Sequence, residues 1–273
     1  HWPRFRMADF TIFYSWQSDA PDEINWKFIE KALREAVEKI KEKSGLPDVP
    51  IVDIGMERVP GSPEIATIMF RKIGRSAIFV GDVSLVGEIK GDPSKKIPNG
   101  NVSVEMGYAA AYLGWERIIC VLNEHYGKAE QQPVDTRNRR FPINYALPPS
   151  RDNEAEVFKG LVNDLRRAIH AVYIYDLESA KDAIRLLDIN CMNLIAAVAK
   201  YDWFSAPDPN QTTIGGPLDT AKFNAAVTRS LDLGLIWTDT APEQGKYAYH
   251  WTYKGKKVLE LLGHRAKPAP AKA

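Results

Sequence analysis

Along the first half of the chain, apolar positions switch repeatedly between a period of two and a helical period. Asp9-Phe10-Thr11-Ile12-Phe13-Tyr14-Ser15 is β-branched and aromatic, then turns polar at Gln17-Ser18-Asp19, which predicts a strand ending there. Residues 25–43 place Trp26, Ile29, Ala32, Leu33, Ala36, Val37 and Ile40 on one helical face. Pro21, Asp22 and Glu23 suit the start of that helix. A second strand is predicted at 49–54, and Gly61-Ser62-Pro63-Glu64 opens a second helix with Ser62 as its N-cap. Ser76 to Asp82 is short and apolar, the pattern of a strand buried on both faces. Residues 86–100 carry Gly87, Gly91, Pro93, Pro98 and Gly100 among charges and read as a surface loop. A third helix follows at 101–113, a fourth strand at 117–122, a short fifth strand at 140–146 and a long amphipathic helix at 152–171. This repetition predicts an α/β fold: a parallel sheet of about five strands with helices on both faces, wound in the flavodoxin-like manner.

The pattern changes near Tyr175. Helices are predicted at 177–187, 189–200 and 219–233, the last closed by Gly234. Residues 202–216 read as loop, 235–238 and 246–252 as two strands around a turn, and 255–262 as a final helix. Three helices, a hairpin and a closing helix describe a winged-helix domain. The expected organisation is a remnant of expression at 1–6, a sheet domain at 7–174, a winged-helix-like domain at 175–266 and a disordered tail at 267–273.

Composition narrows the classes. Lys and Arg total 36 against 35 Asp and Glu, a formal net charge of +1, so no broad basic face marks an obligate polyanion binder. Residues 176–273 hold 12 cations and 11 anions, too few cations in excess for a surface that tracks phosphates. Self-association or a protein partner therefore fits the C-terminal part better than nucleic acid, although Lys254, Lys256 and Lys257 follow the hairpin. No apolar run reaches the ~18 residues of a membrane span, and no charged-then-apolar opening marks export. Cys120 and Cys191 lie in apolar surroundings and read as buried thiols of a reducing compartment, so the expected location is the cytoplasm. The five histidines are scattered, which argues against a metal centre.

An open parallel sheet binds ligands beyond the carboxyl ends of its strands, where strand order reverses. Ser15, Trp16, Gln17 and Ser18 follow the first strand, Ser62 opens the second helix, and Asp82 ends the third strand. Asn101-Val-Ser-Val-Glu105-Met-Gly-Tyr108 opens the third helix. Each has a purely structural alternative. Glu105 could complement the helix dipole, Asp82 could cap a turn, Ser62 could be an ordinary N-cap, and Tyr108 could simply pack.

Phe13-Tyr14-Ser15-Trp16-Gln17-Ser18-Asp19, followed by Ser76 to Asp82 and by Asn101-Val-Ser-Val-Glu105-Met-Gly-Tyr-Ala109, resembles the bacterial TIR-like family. The resemblance covers roughly residues 9 to 170, with Gly100 and Met106 replacing the family's usual Pro and Leu. A related pattern occurs in nucleoside 2-deoxyribosyltransferases. The resemblance implies an NAD glycohydrolase with Glu105 as the catalytic residue; Ser15, Trp16, Gln17, Ser18, Ser62, Asp82, Asn101 and Tyr108, which the strand ends bring to one rim, are the candidate substrate-binding residues. NAD is then substrate, and no cofactor or metal is needed. The family further implies an antiphage effector that is latent until it oligomerises, with a protein or nucleic-acid trigger read by the C-terminal domain. Two alternatives stand beside it: a deoxyribosyltransferase-like enzyme with a carboxylate nucleophile, and a nucleotide-sensing regulator that binds DNA.

Overall fold

The computed structural model describes residues 10–43, 50–55, 65–91, 94–133, 142–205, 219–238 and 248–264. The remnant assigned to 1–6, the tail from 267 and Ser62 lie outside these. By its internal contacts the chain divides into two compact units, the first Phe10–Val172 and the second from Tyr173 onward.

The first unit contains β1 (Thr11–Ser15), α1 (Trp26–Lys43), β2 (Ile51–Asp53), α2 (Ile65–Arg75), β3 (Ile78–Asp82), β4 (Gly87–Ile89), β5 (Lys95–Ile97), α3 (Gly100–Tyr112), β6 (Ile118–Asn123) and β7 (Ile143–Tyr145). Five strands form one sheet in the order β2-β1-β3-β6-β7, every neighbouring pair parallel. This is the doubly wound order expected from the sequence, with its reversal between β1 and β3. The loop expected at 86–100 contains a small antiparallel hairpin, β4 with β5. Its three-residue strands are too short and too charged to stand out by pattern.

Strand alternation sorts the core into two layers. Phe13 and Phe79 stand side by side in register and pack with Met69, Ile73, Met106 and Ala109 of α2 and α3. On the other face Tyr14 donates from its hydroxyl to the Trp26 carbonyl at 3.3 Å, and Phe28 of α1 stacks on Tyr145 with ring centroids 5.4 Å apart. All five residues of β3 are buried, as its central place requires.

A buried polar knot closes the second face at the carboxyl ends of the strands. Asp82 is fully buried and accepts from Gln17 Nε2 at 3.0 Å, Asn25 Nδ2 at 2.7 Å and the Ser84 backbone N–H at 3.0 Å. Asn123 donates to the carbonyls of Ile24 and Leu147 and accepts from the Leu147 N–H. Tyr145 donates to the Ile24 carbonyl at 2.8 Å. These bonds tie the ends of β1, β3, β6 and β7 to the start of α1. Buried polar groups at this density persist because each is paired.

α4 (Glu154–Arg185) is one continuous helix where two were expected, and the boundary between the units falls within it. The second unit continues with α5 (Ile189–Val198), β8 (Trp203–Ser205), α6 (Thr220–Asp232), β9 (Ile236–Thr238), β10 (Ala248–Trp251) and α7 (Tyr253–Leu261). Its three strands form an antiparallel sheet ordered β8-β10-β9. β8 lies in a stretch expected to be loop: three residues before a proline- and glycine-rich segment give too little alternation to read. Phe204, Tyr249 and Trp251 face its core with Phe223, Ile195 and Leu235. No described helix is long and apolar enough to cross a membrane.

Asp82→Ala removes the acceptor of Gln17 Nε2 and of the Ser84 N–H and leaves Asn25 Nδ2 only the long bond to Ser84 Oγ, so it should lower the stability of the first unit by about 3 kcal/mol. Asp82→Asn, which retains one acceptor oxygen, should cost less. Urea unfolding at neutral pH measures both, and a loss below about 1 kcal/mol for the alanine variant would contradict a holding role for the knot.

Candidate functional site

The hydroxyl of Ser15, the last residue of β1, donates to Glu105 Oε2 at 2.6 Å. Ser15 stands in register with Gly81 of β3, so the two share the sheet face that α2 and α3 cover. Gly81 brings no side chain to that position, and a methyl group there would meet Phe79 Cε1 at 2.9 Å and Val102 Cγ1 at 3.6 Å. The first turn of α3 therefore lies close over β3, and Glu105 reaches Ser15.

The start of α3 is fixed by Asn99. Its side-chain oxygen accepts from the N–H groups of Asn101 at 2.8 Å and Val102 at 3.2 Å. Its amide donates to Asp19 Oδ2 at 2.6 Å, which ties the chain after β1 to the helix. Val102, Met106 and Ala109 are the buried face of the helix. Glu105, one residue before Met106, sits partly exposed at the edge of that face. Desolvation pushes its carboxyl above the ordinary range, and the Ser15 hydrogen bond pulls the other way.

Trp16, the residue after Ser15, is 38% exposed and stacks on Trp26 of α1 with centroids 4.7 Å apart and an interplanar angle of 28°. Its edge approaches Gly55 at the end of β2, where a Cβ would come 4.0 Å from Trp16 Nε1. Gly55 has φ +61°, a conformation that favours glycine. Lys72 of α2 donates to Asp53 Oδ1 at 2.8 Å and to the Gly55 carbonyl at 2.6 Å, holding that end of β2 in place. A partly solvated carboxylate and a half-exposed indole thus share the mouth of the sheet where strand order reverses. An indole with one open face can stack a flat ring, and a carboxylate can stabilise positive charge that develops near it.

The remaining sequence candidates separate from this corner. Asp82 follows Gly81 and so turns to the opposite face, where it joins Gln17 in the buried knot. Burial pushes the Asp82 carboxyl above its usual range against the pull of its hydrogen bonds to Ser84, Asn25 and Gln17. Ser18 and Asn101 are exposed. Tyr108 stacks between Phe70 at 4.4 Å and Tyr112 at 4.3 Å, a packing role. Ser62 lies outside the described residues. The two thiols are both free, and burial pushes Cys120 up to about 12, far from a reactive thiolate.

Sequence reasoning did not single out Asn99, Trp26 and Lys72. Asn99 carries a readable signal, since an asparagine directly before an apolar helical run is a preferred N-cap. Trp26 and Lys72 lie on helical faces whose partners come from distant strands, and no local pattern announces them.

The raised Glu105 carboxyl has a consequence for stability. A folded-state value above the unfolded one means that ionisation opposes folding: the contribution is fully favourable below the ordinary carboxylate range and is lost as pH rises through the raised value. Gln at this position keeps an oxygen for Ser15 and carries no charge. Glu105→Gln should therefore match wild type in thermal melts at acidic pH and become the more stable protein as pH rises to neutrality; a variant less stable than wild type at neutral pH would contradict this. The chain matches no family model and no curated protein sequence.

Proposed function

We propose that this chain is a TIR-like NAD glycohydrolase that cleaves the nicotinamide–ribose bond at the Ser15–Glu105 corner. The observation that carries the reading is the 2.6 Å hydrogen bond from Ser15 to Glu105 at the reversal point of the sheet. It joins the two segments whose motifs carry the family resemblance. In this reading Trp16 stacks on a base of the substrate, and the ionised Glu105 faces the ribose. As the C1′–N bond breaks, its electron pair passes to the pyridinium nitrogen, so nicotinamide leaves neutral and needs no general acid. The sugar gains oxocarbenium character, which the Glu105 carboxylate stabilises. Water adds to C1′ and loses its proton to solvent through the carboxylate, giving ADP-ribose.

Ser15 is a positioning residue here, not a substrate ligand: it is buried and spends its proton on Glu105. The second unit, with its helices, antiparallel strands and closing helix, supports reading it as a winged-helix module. We place the protein in the cytoplasm as a defence effector, latent until a protein or nucleic-acid trigger drives its assembly.

The test is incubation of concentrated protein with NAD, with and without a crowding agent, and quantification of nicotinamide. Wild type should release nicotinamide, and Glu105→Gln should lower the rate by at least ~1,000-fold. Turnover that survives in the glutamine variant, or base exchange on a deoxynucleoside in place of NAD loss, would overturn the reading. Ser15→Ala should cost about 10-fold to 100-fold in kcat/KM. It removes the bond that lowers the Glu105 value, so the acid limb of the pH–rate profile should move to higher pH. An unshifted limb would leave Ser15 with a structural role alone.

A further inference from the structure

Helix α5 carries no charged residue from Ile189 to Val198. One face is fully used: Cys191, Leu194, Ile195 and Val198 are buried in the core of the second unit. The opposite face is made of Ile189, Met192, Asn193 and Ala196, which recur at i, i+3, i+4 and i+7. Ile189 is 70% exposed and Met192 38% exposed, and Ala196 is also exposed. Leu186 just before the helix and Tyr201 just after it are 52% and 51% exposed. A helix whose outer face is also largely apolar is usually covered, and such a patch on a surface marks an interface.

The helix ends say what fits there. Asp188 is the N-cap, accepting from the Cys191 N–H at 2.8 Å. Lys200 lies just beyond the other end, exposed, with its ammonium over the Tyr201 ring at 5.0 Å. The two charges bracket the apolar stripe at a separation of about 18 Å along the axis. Two such helices packed antiparallel bring Asp188 of each against Lys200 of the other and oppose their dipoles. Parallel packing would set like charges together. The midpoint of the bracket is Leu194, so Asn193 meets its own copy beside the two-fold axis. A polar pair inside an apolar seam fixes register.

We propose that the outer face of α5 is a homodimer interface in which two copies of this chain pack their α5 helices antiparallel about a two-fold axis at Asn193. This inference stands independently of the NAD reading, because the charges, the stripe and its exposure belong to the second unit alone.

Sedimentation of the full chain over a concentration series tests it. Wild type should form a dimer at micromolar concentration. Ile189→Asp and Met192→Asp should each raise the dimer Kd by at least ~30-fold, since each places a charge in the seam, with the monomer still folded. Geometry is read separately by cysteine placement and a short bis-maleimide. Asn193→Cys should cross-link between copies. Ile189→Cys should not, because antiparallel packing holds its two copies about 15 Å apart. Wild type monomeric throughout the series overturns the proposal. So does a dimer that keeps its Kd in a folded aspartate variant. Cross-linking at 189 in place of 193 overturns the antiparallel arrangement, and this readout holds even where an aspartate variant fails to fold.

Discussion

The geometry of the first unit follows from strand alternation at the ends of β1 and β3. Successive residues of a strand point to opposite faces, so Tyr14 and Ser15, or Gly81 and Asp82, cannot serve the same layer. Ser15 and Gly81 fall in register on the face that α2 and α3 cover. There one offers a hydroxyl and the other offers space. A one-residue slip would send Ser15 into the knot and Asp82 under α3. The partly solvated carboxylate would then lie over a buried one, with no donor set prepared for it.

The other face explains how such a slip is prevented. Asn25 Nδ2 reaches both Asp82 and Ser84, and Asn123 bonds to the chain on either side, at Ile24 and Leu147. These bonds have directional demands that apolar packing lacks. Phe13 and Phe79 could slide past α3 at modest cost, but Asp82 cannot leave its donors without stranding a buried carboxyl group. The stability of one face thus fixes the register of the other. The two carboxylates illustrate this division: Asp82 is buried and saturated with donors, whereas Glu105 takes one hydrogen bond from Ser15 among the described residues.

The sheet was legible because its signals are local and repeated. Phe10 to Ser15 and Ser76 to Asp82 are apolar runs closed by polar residues, and the five-strand order follows from helices spaced between them. Ser15 and Glu105 were legible as site candidates from motif alone. Their mutual contact was not, because 90 positions separate them and only the register at Gly81 brings them together. By sequence, Asp82 and Gln17 read as substrate-site candidates because both sit at strand ends. Sequence does not say which face a terminal residue takes until the register is known. Strand β8 and the hairpin of β4 and β5 escaped for a simpler reason: three residues cannot display a period.

In the second unit charge is arranged differently. Four of its helical ion pairs close within a single turn: Glu178 with Lys181, Asp182 with Arg185, Asp219 with Lys222 and Glu260 with Lys257. The first three are exposed and contribute little to stability, whereas Lys257 is buried; all four cancel part of the field that would draw a polyanion over a distance. Asp188, Asp219 and Thr252 are spent on helix caps. Recognition by such a surface then rests on short-range fit, and apolar area without competing charge becomes the feature that distinguishes one patch from another. Helix α5 meets that description because its uncharged stretch ends at Asp188 on one side and Lys200 on the other.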